Sequence, residues 1–427
     1  MSLKRREFLK FGAGAAGGGL MAAAVPLANA QSQPAQKTTV IGALKPMIQR
    51  AVPITDDERK ARMEKARRLM VDNKIQAVVM EGGSSLFYFT GVQWGNSERI
   101  FACVLPARGE LAWVCPKFEE DRARELIRFG TNDVRTWEED ESPYKRIVGI
   151  FKDRGVSAGR IGIEERVRFF LADGVRKEAP SYEFVSADPV TIGCRVIKSP
   201  AEIALMQLAA DITIEAYKAT FALIRNGMTK GELSANAAAA FAALGVQGNI
   251  GANFGESTAL PHGSIKPRNL REGDVILCDG GCSVDGYRSD ISRSIVFGTP
   301  TQKQKDVWNL EKKAQAAAFA AAKPGTPCEA VDAAARKVIT DAGYGPDYKV
   351  PGLPHRTGHG LGLDGHEWIN LVRGNKAPLE PGMCFTDEPM IVIPGEFGIR
   401  IEDDFHVTEK GPVWFTQPSP AIDKPFA

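Results

Sequence analysis

Histidine is scarce in this chain: there are five among 427 residues, at 262, 355, 359, 366 and 406, and none earlier. Imidazole chemistry is thereby confined to the C-terminal part. Cysteine numbers seven (103, 115, 194, 278, 282, 328, 384), an odd count without compact spacing. No disulfide can be assigned from it. The Cys278/Cys282 pair around Asp279 does not by itself make a metal site, so all seven are expected to be small buried hydrophobes. Excess charge is also lacking: 54 basic and 52 acidic residues leave a net +2. That balance gives no reason to expect nucleic acid or an anionic membrane as partner. Beyond residue 30 no apolar run approaches the ~18 residues of a spanning helix. What is present, 44% apolar and 25% charged residues, is the profile of a soluble globular protein. The length is too great for one ordinary core and predicts two domains plus extras.

The first thirty residues do not read as fold. Lys4-Arg5-Arg6-Glu7-Phe8-Leu9-Lys10 is a twin-arginine run, followed by a Gly/Ala stretch and by Ala28-Asn29-Ala30, a small-x-small cleavage site. A short membrane anchor is the competing reading. It is disfavoured because Gly and Ala substitute poorly for Leu in hydrocarbon. The mature protein is expected to begin near Gln31, in a bacterial periplasm, with the twin-arginine machinery as partner of the precursor. Export after folding would let a metal be loaded away from periplasmic copper and zinc, which bind more tightly than manganese or iron.

Residues 31–52, rich in Gln, Pro, Ala and Thr, read as a linker or extended arm. A helical pattern spans Asp57–Asn73, and short apolar runs at Ala77–Met80, Phe101–Leu105, Leu111–Cys115 and Arg160–Glu164 alternate with charged helical stretches. This predicts an α/β domain over 53–194. Ser199-Pro200-Ala201-Glu202 reads as a capping box with Pro at the first helical position. From there to 427, Ala-rich helices (200–226, 229–244, 303–322, 327–342) interleave with Gly-punctuated hairpins, an α+β domain.

Two hairpins carry acids. In the first, Asp285-Gly286 is a strong two-residue turn signal that pairs 284 with 287 and hence 279 with 292. Asp290 then lies on the same face as Asp279, and two such carboxylates in a buried strand pair call for a cation between them. In the second, Glu388 and Glu402 sit on opposite arms of a hairpin turning at 394–398. Between the hairpins lies His355-Arg-Thr-Gly-His359-Gly-Leu-Gly-Leu-Asp-Gly-His366-Glu367, whose glycines allow close backbone approach. Four carboxylates and an imidazole form a hard, oxygen-rich donor set suited to two divalent ions of the Mn, Fe, Co or Zn kind. Two such ions ~3.5–4 Å apart can share a hydroxide and polarise a carbonyl.

Pro261-His262-Gly263, the Asp279/Asp290 hairpin, His355-x3-His359-x6-His366, Glu388-Pro389 and Gly398-Ile-Arg-Ile-Glu402 resemble, in order and spacing, the motifs of the prolidase, aminopeptidase P, methionine aminopeptidase and creatinase family. Leu86-Phe-Tyr-Phe-Thr-Gly91 and Arg195-Val-Ile-Lys-Ser199 are similar to its creatinase-type N-terminal domain. The resemblance implies a pita-bread catalytic domain. Asp279 and Asp290 would bind one metal with Asp290 bridging, and His359 and Glu388 the other with Glu402 bridging. It makes manganese the first choice of ion and Glu388 the proton shuttle, sets His262 and His366 against the substrate and its oxyanion, and puts His355 on the substrate side. Arg400 would support Glu402. Arg373 lies one position from the arginine that prolidases use for the proline carboxylate. His406 reads as structural. The chain departs from the family at Met390, where a glycine is usual, and at Trp368, read as packing rather than as a substrate platform.

The resemblance implies an Xaa-Pro-type exopeptidase acting on small peptides, and a homodimer in which Trp94 or Arg99 is a candidate contributor to the neighbour's site. A creatinase- or ectoine-hydrolase-like enzyme cleaving another small amide is the runner-up. A non-catalytic binding module is the third reading, weakened because no ligand is missing.

Overall fold

The computed structural model describes residues 33–426, so the expected twin-arginine segment at 1–30 lies outside the described residues. Among those described, no helix is long and apolar enough to cross a membrane.

The N-terminal part is built on a six-stranded sheet in the order Val134–Trp137, Ala112–Pro116, Ala102–Pro106, Ile75–Glu81, Gly159–Ile163, Tyr182–Ser186. Ile75–Glu81 is central, parallel to Gly159–Ile163 and antiparallel to Ala102–Pro106. It is covered on both faces, which is why it reads as an unbroken apolar run rather than an alternating one. The two outermost strands, Val134–Trp137 and Tyr182–Ser186, are half-exposed and carry no such run. The helix expected at 57–73 is Asp56–Asp72, started by the Thr55 hydroxyl accepting from the Glu58 amide.

Residues 31–52 depart from the expected linker or extended arm. Gln33–Gly42 is helical and Ile48–Arg50 forms a 3-10 turn. The segment is docked: Val40, Leu44, Met47 and Ile48 pack on the C-terminal part's core, and Met47 donates to the Leu244 carbonyl at 2.9 Å.

The C-terminal part opens with the helix Pro200–Phe221, and its Ser199/Glu202 capping box is formed as expected. This helix stops five residues short of the expected end. Gly227, at φ +76°, turns the chain back, and its amide donates to Leu270. Lys230–Leu244 packs with it over the strands Gly248–Phe254, Val275–Val284 and Ile291–Val296. A second pair, Gln302–Ala321 and Cys328–Asp341, backs the sheet that includes Gly358–Gly360, Cys384–Asp387 and Asp403–Thr408. The Asp285-Gly286 turn has positive φ at both positions, 46° and 85°, and pairs Val284 with Tyr287 and Asp279 with Ser292, the expected register. The second hairpin turns more tightly than expected. Ile393 pairs with Phe397, so only Pro394-Gly395-Glu396 form the turn. All seven cysteines are free and buried, as expected.

Candidate metal centre

Register places the acids. Asp279 pairs with Ser292, and Ser292 pairs with Glu402. Asp387 pairs with Asp403 and Met390 with Arg400, so Glu388 stands opposite Glu402. Paired residues project to one face, giving a row Asp279, Ser292, Glu402, Glu388 across four strands. Asp290, two residues before Ser292, joins the same face, its amide held by Asp404 Oδ2 at 2.8 Å. His359 enters from the next strand: its amide donates to Thr386 Oγ1 at 3.1 Å, two positions from Glu388. Gly358 must be glycine there, because a Cβ would sit 2.0 Å from the Thr386 carbonyl oxygen.

Two trios of donor atoms result, each within 4.8 Å: Asp279, Asp290 and Glu402, and His359, Glu388 and Glu402. Glu402 belongs to both. A third, Asp290, His359 and His366, spans the cleft. His359 Nδ1 faces the Gly360 carbonyl at 3.0 Å and so carries the proton, leaving the Nε2 lone pair 3.2 Å from Glu388 Oε1. Burial drives this imidazole's pKa down to about 3, keeping it in the neutral, ligating form.

The carboxylates are not satisfied by protein cations. Burial first, then Asp279 and Glu388, push Asp290 well above the ordinary range, and burial, Asp290 and Glu388 do the same to Glu402. Burial lifts Glu388 to about 7, against the pull of Arg400. One arginine serves three of the four: Arg400 bonds Asp279 Oδ2 at 2.5 Å and lies 3.7 Å from Glu402 and 3.9 Å from Glu388. Four clustered carboxylates against one guanidinium leave a deficit of positive charge in a site where unpaired charge is costly. Oxygen-rich donors of this kind suit hard divalent ions, so the residues present fit such a group.

A cavity of about 560 Å³ opens onto the row and is lined by all five expected ligands together with His262, His355, His366 and Arg400. His262 and His366 are exposed rings at its rim, and the His366 ring lies 4.1 Å from that of His359. His355 has its Nδ1 at the Arg356 carbonyl and its Nε2 buried without a partner; burial lowers its pKa to about 4. Arg373 is not brought in. It is exposed, ion-paired with Asp347 and stacked on Tyr348, and does not line the cavity. His406 lies outside too, against Phe415. Trp368 is not packed away as expected but 50% exposed. Trp94 stacks on Phe101, while Arg99 pairs with Glu139.

Supporting residues escaped sequence reasoning because their roles arise from pairing between distant segments. Ser292 Oγ donates to Glu402 Oε2 at 2.5 Å and receives Arg400 Nε at 3.0 Å. Arg293, fully buried, pairs with Asp403 at 2.7 Å and holds the Glu402 carbonyl. Arg195 donates to Asp364 at 2.7 Å and Glu367 at 2.6 Å, and Lys198 donates to Glu367 at 2.8 Å, staking down the loop that carries His366. The Asp279/Ser292 register was the signal available for Ser292.

Fold and site together define a hydrolase of the metal-dependent class, with a cradle of β-strand carboxylates suited to divalent ions. The family model for metallopeptidase family M24 matches residues 204–409, and that for the creatinase/prolidase N-terminal domain matches 62–197. The chain is 37% identical to an uncharacterized peptidase of Schizosaccharomyces pombe, over 84% of this chain and 81% of that one. It is 32% identical to the Xaa-Pro dipeptidase of Lactobacillus helveticus, over 83% and 96%. The crystal structure of a recombinant prolidase from Thermococcus sibiricus superposes with a TM-score of 0.77 at 30% identity, covering 84% of this chain and 96% of that one. The chain belongs to metallopeptidase family M24, with a pita-bread catalytic domain behind a creatinase-type N-terminal domain.

Proposed function

We propose that the protein is an Xaa-Pro exopeptidase that holds two divalent ions, manganese being the first choice. The observation that carries this is the pair of donor trios sharing Glu402, complete in all five ligands, in a cleft of peptide-fragment size. Asp279 and Asp290 would hold one ion, His359 and Glu388 the other, and Glu402 both. Divalent ions there supply Lewis acidity to the scissile carbonyl and lower the pKa of water. Glu388 has Oε1 at His359 Nε2, 3.2 Å away, which leaves Oε2 as the oxygen to move a proton. His262 and His366 donate from the rim to the oxygen on which negative charge develops. Relatives named Xaa-Pro dipeptidase and prolidase support the peptide class.

The test is turnover of Xaa-Pro peptides by purified protein reconstituted with Mn, Co or Zn, with metal counted per chain. Glu388→Gln should abolish release of the N-terminal residue. Turnover of small amides with none of any peptide would sink the peptidase reading. We further propose twin-arginine export to the periplasm, supported by Lys4-Arg5-Arg6 and Ala28-Asn29-Ala30. Retention in the cytoplasm of a chain with both arginines changed to lysine checks it. A homodimer is expected by light scattering.

A further inference from the structure

Beside the metal cleft lies a second cavity of about 320 Å³. It is walled on one side by Glu165, Arg166 and Ile192 of the N-terminal domain and on the other by Arg356, His366 and Trp368. Arg356 and His366 line both cavities and form the sill between them. The charges around the second cavity nearly all have partners. Arg195 pairs with Asp364 and Glu367 and stands 3.7 Å from Glu165, Arg166 pairs with Asp364, and Lys198 pairs with Glu367. Three cations thus face three carboxylates.

Glu165 Oε2 is buried without a hydrogen-bond partner, and Arg356 is the cation without one. It is half-buried, and among the described residues its guanidinium has neither an ion pair nor a hydrogen bond. It lines the metal cleft together with His366 and Glu388. The carboxylates of the cleft are committed to Arg400 and to the ions they would hold. A half-buried guanidinium that no protein carboxylate occupies is free to receive an anion, and its planar fork matches a carboxylate.

We propose that Arg356 is the anion anchor of the substrate site, receiving a carboxylate carried by the part of the substrate that enters the cavity between the domains. This rests on the peptidase reading above. The carboxylate has two possible sources, the C-terminus of a dipeptide or the side chain of an acidic residue. Trp368 offers a flat apolar wall for the group that carries it. Arg373, held by Asp347 and Tyr348 away from the cleft, does not compete for the role.

Steady-state kinetics of the manganese-loaded protein with Ala-Pro, Ala-Pro amide and Glu-Pro amide separate the cases. With the C-terminal source, Ala-Pro exceeds its amide by about ten- to a hundredfold in kcat/KM. Arg356→Met then removes that preference, raising KM for Ala-Pro at least about tenfold more than for its amide. With the side-chain source, Ala-Pro and its amide are alike, and Glu-Pro amide is preferred over Ala-Pro amide until Arg356 is lost. Arg356→Lys should restore part of either preference, and an unchanged unfolding midpoint and metal content report an intact fold. Equal effects of Arg356→Met on charged and neutral substrates, or no effect on either, would overturn the inference alone. A wild-type protein that cleaves no Xaa-Pro substrate would overturn the peptidase reading and this inference with it.

Discussion

Replacing Glu367 by glutamine tests whether the loop carrying His366 is held by charge. Glu367 accepts from Arg195 and Lys198 at 2.6 and 2.8 Å, and both cations are nearly as buried as the carboxylate. The substitution keeps shape and leaves two buried cations facing a neutral amide. Breaking a buried pair in this way costs about 3–5 kcal/mol. Asp364 still answers Arg195, so the lower end is expected, read as a fall in the free energy of urea unfolding at pH 7. A pH series adds a second check. Lys198 and Arg195 outweigh burial and hold the Glu367 carboxyl down at about 2, from an ordinary 4.5. The pKa is depressed in the fold, so the stabilisation is complete above about 4.5 and is lost as pH falls towards 2. That depression corresponds to about 3 kcal/mol. The difference between wild type and Glu367→Gln should therefore shrink as pH drops from 5 towards 3. Turnover should fall mainly in kcat, because the loop positions His366. A stability loss under about 1 kcal/mol at pH 7, or a difference that stays constant down to pH 3, would refute the reasoning.

Ser292→Ala removes the hydroxyl between Glu402 and Arg400, which should weaken metal affinity by about tenfold and stability by about 1–2 kcal/mol, measured by metal titration and denaturant unfolding. Gly358→Ala drives a methyl against the Thr386 carbonyl and must displace the strand bearing His359; a loss of about 1–3 kcal/mol with near-complete loss of turnover is expected, and wild-type unfolding would contradict it. Chelation should lower the unfolding midpoint. Ions at a hundredfold over Kd contribute about 2.7 kcal/mol, and an unchanged Tm in chelator would speak against a cradle that needs cations. Arg373→Ala should leave kcat/KM within about twofold and stability within about 0.5 kcal/mol, since among the described residues its guanidinium meets an exposed aspartate and an exposed tyrosine.

Much of the site was legible because strand geometry has a period of two and tight turns fix register. Asp285-Gly286 alone dictates that Asp279 faces Ser292 and shares its face with Asp290, and the structure has this pairing. The capping box at Ser199 was readable for the same local reason. What could not be read is association between segments far apart in sequence. The bridge between Ser292 and Glu402, 110 positions apart, joins two hairpins into one row, and no local signal announces it. The docked helix at Gln33–Gly42 was missed because its composition is that of a linker and its contacts come from distant helices. Arg373 was favoured by its distance along the chain from Glu388, yet Asp347 and Tyr348 draw it outward. Arg356, three residues before a ligand, gained meaning only when every neighbouring cation proved to be paired.

The N-terminal domain contributes contacts to the loop that carries His366. The five proposed metal ligands all lie beyond residue 278, and the row that holds them is closed by contacts within the C-terminal part. The loop of His366 is held differently. Ser84 donates to Asp364 at 2.6 Å, Arg166 pairs with Asp364, and Arg195, at the junction of the two parts, donates to Ser85 as well as to Asp364 and Glu367. Metal binding and substrate positioning thus depend on different sets of contacts. The first is built from strand register inside one domain, the second from buried charges that cross between domains. A change at that boundary can impair turnover while leaving the ions bound, because a loosened His366 loop still leaves the carboxylate row intact.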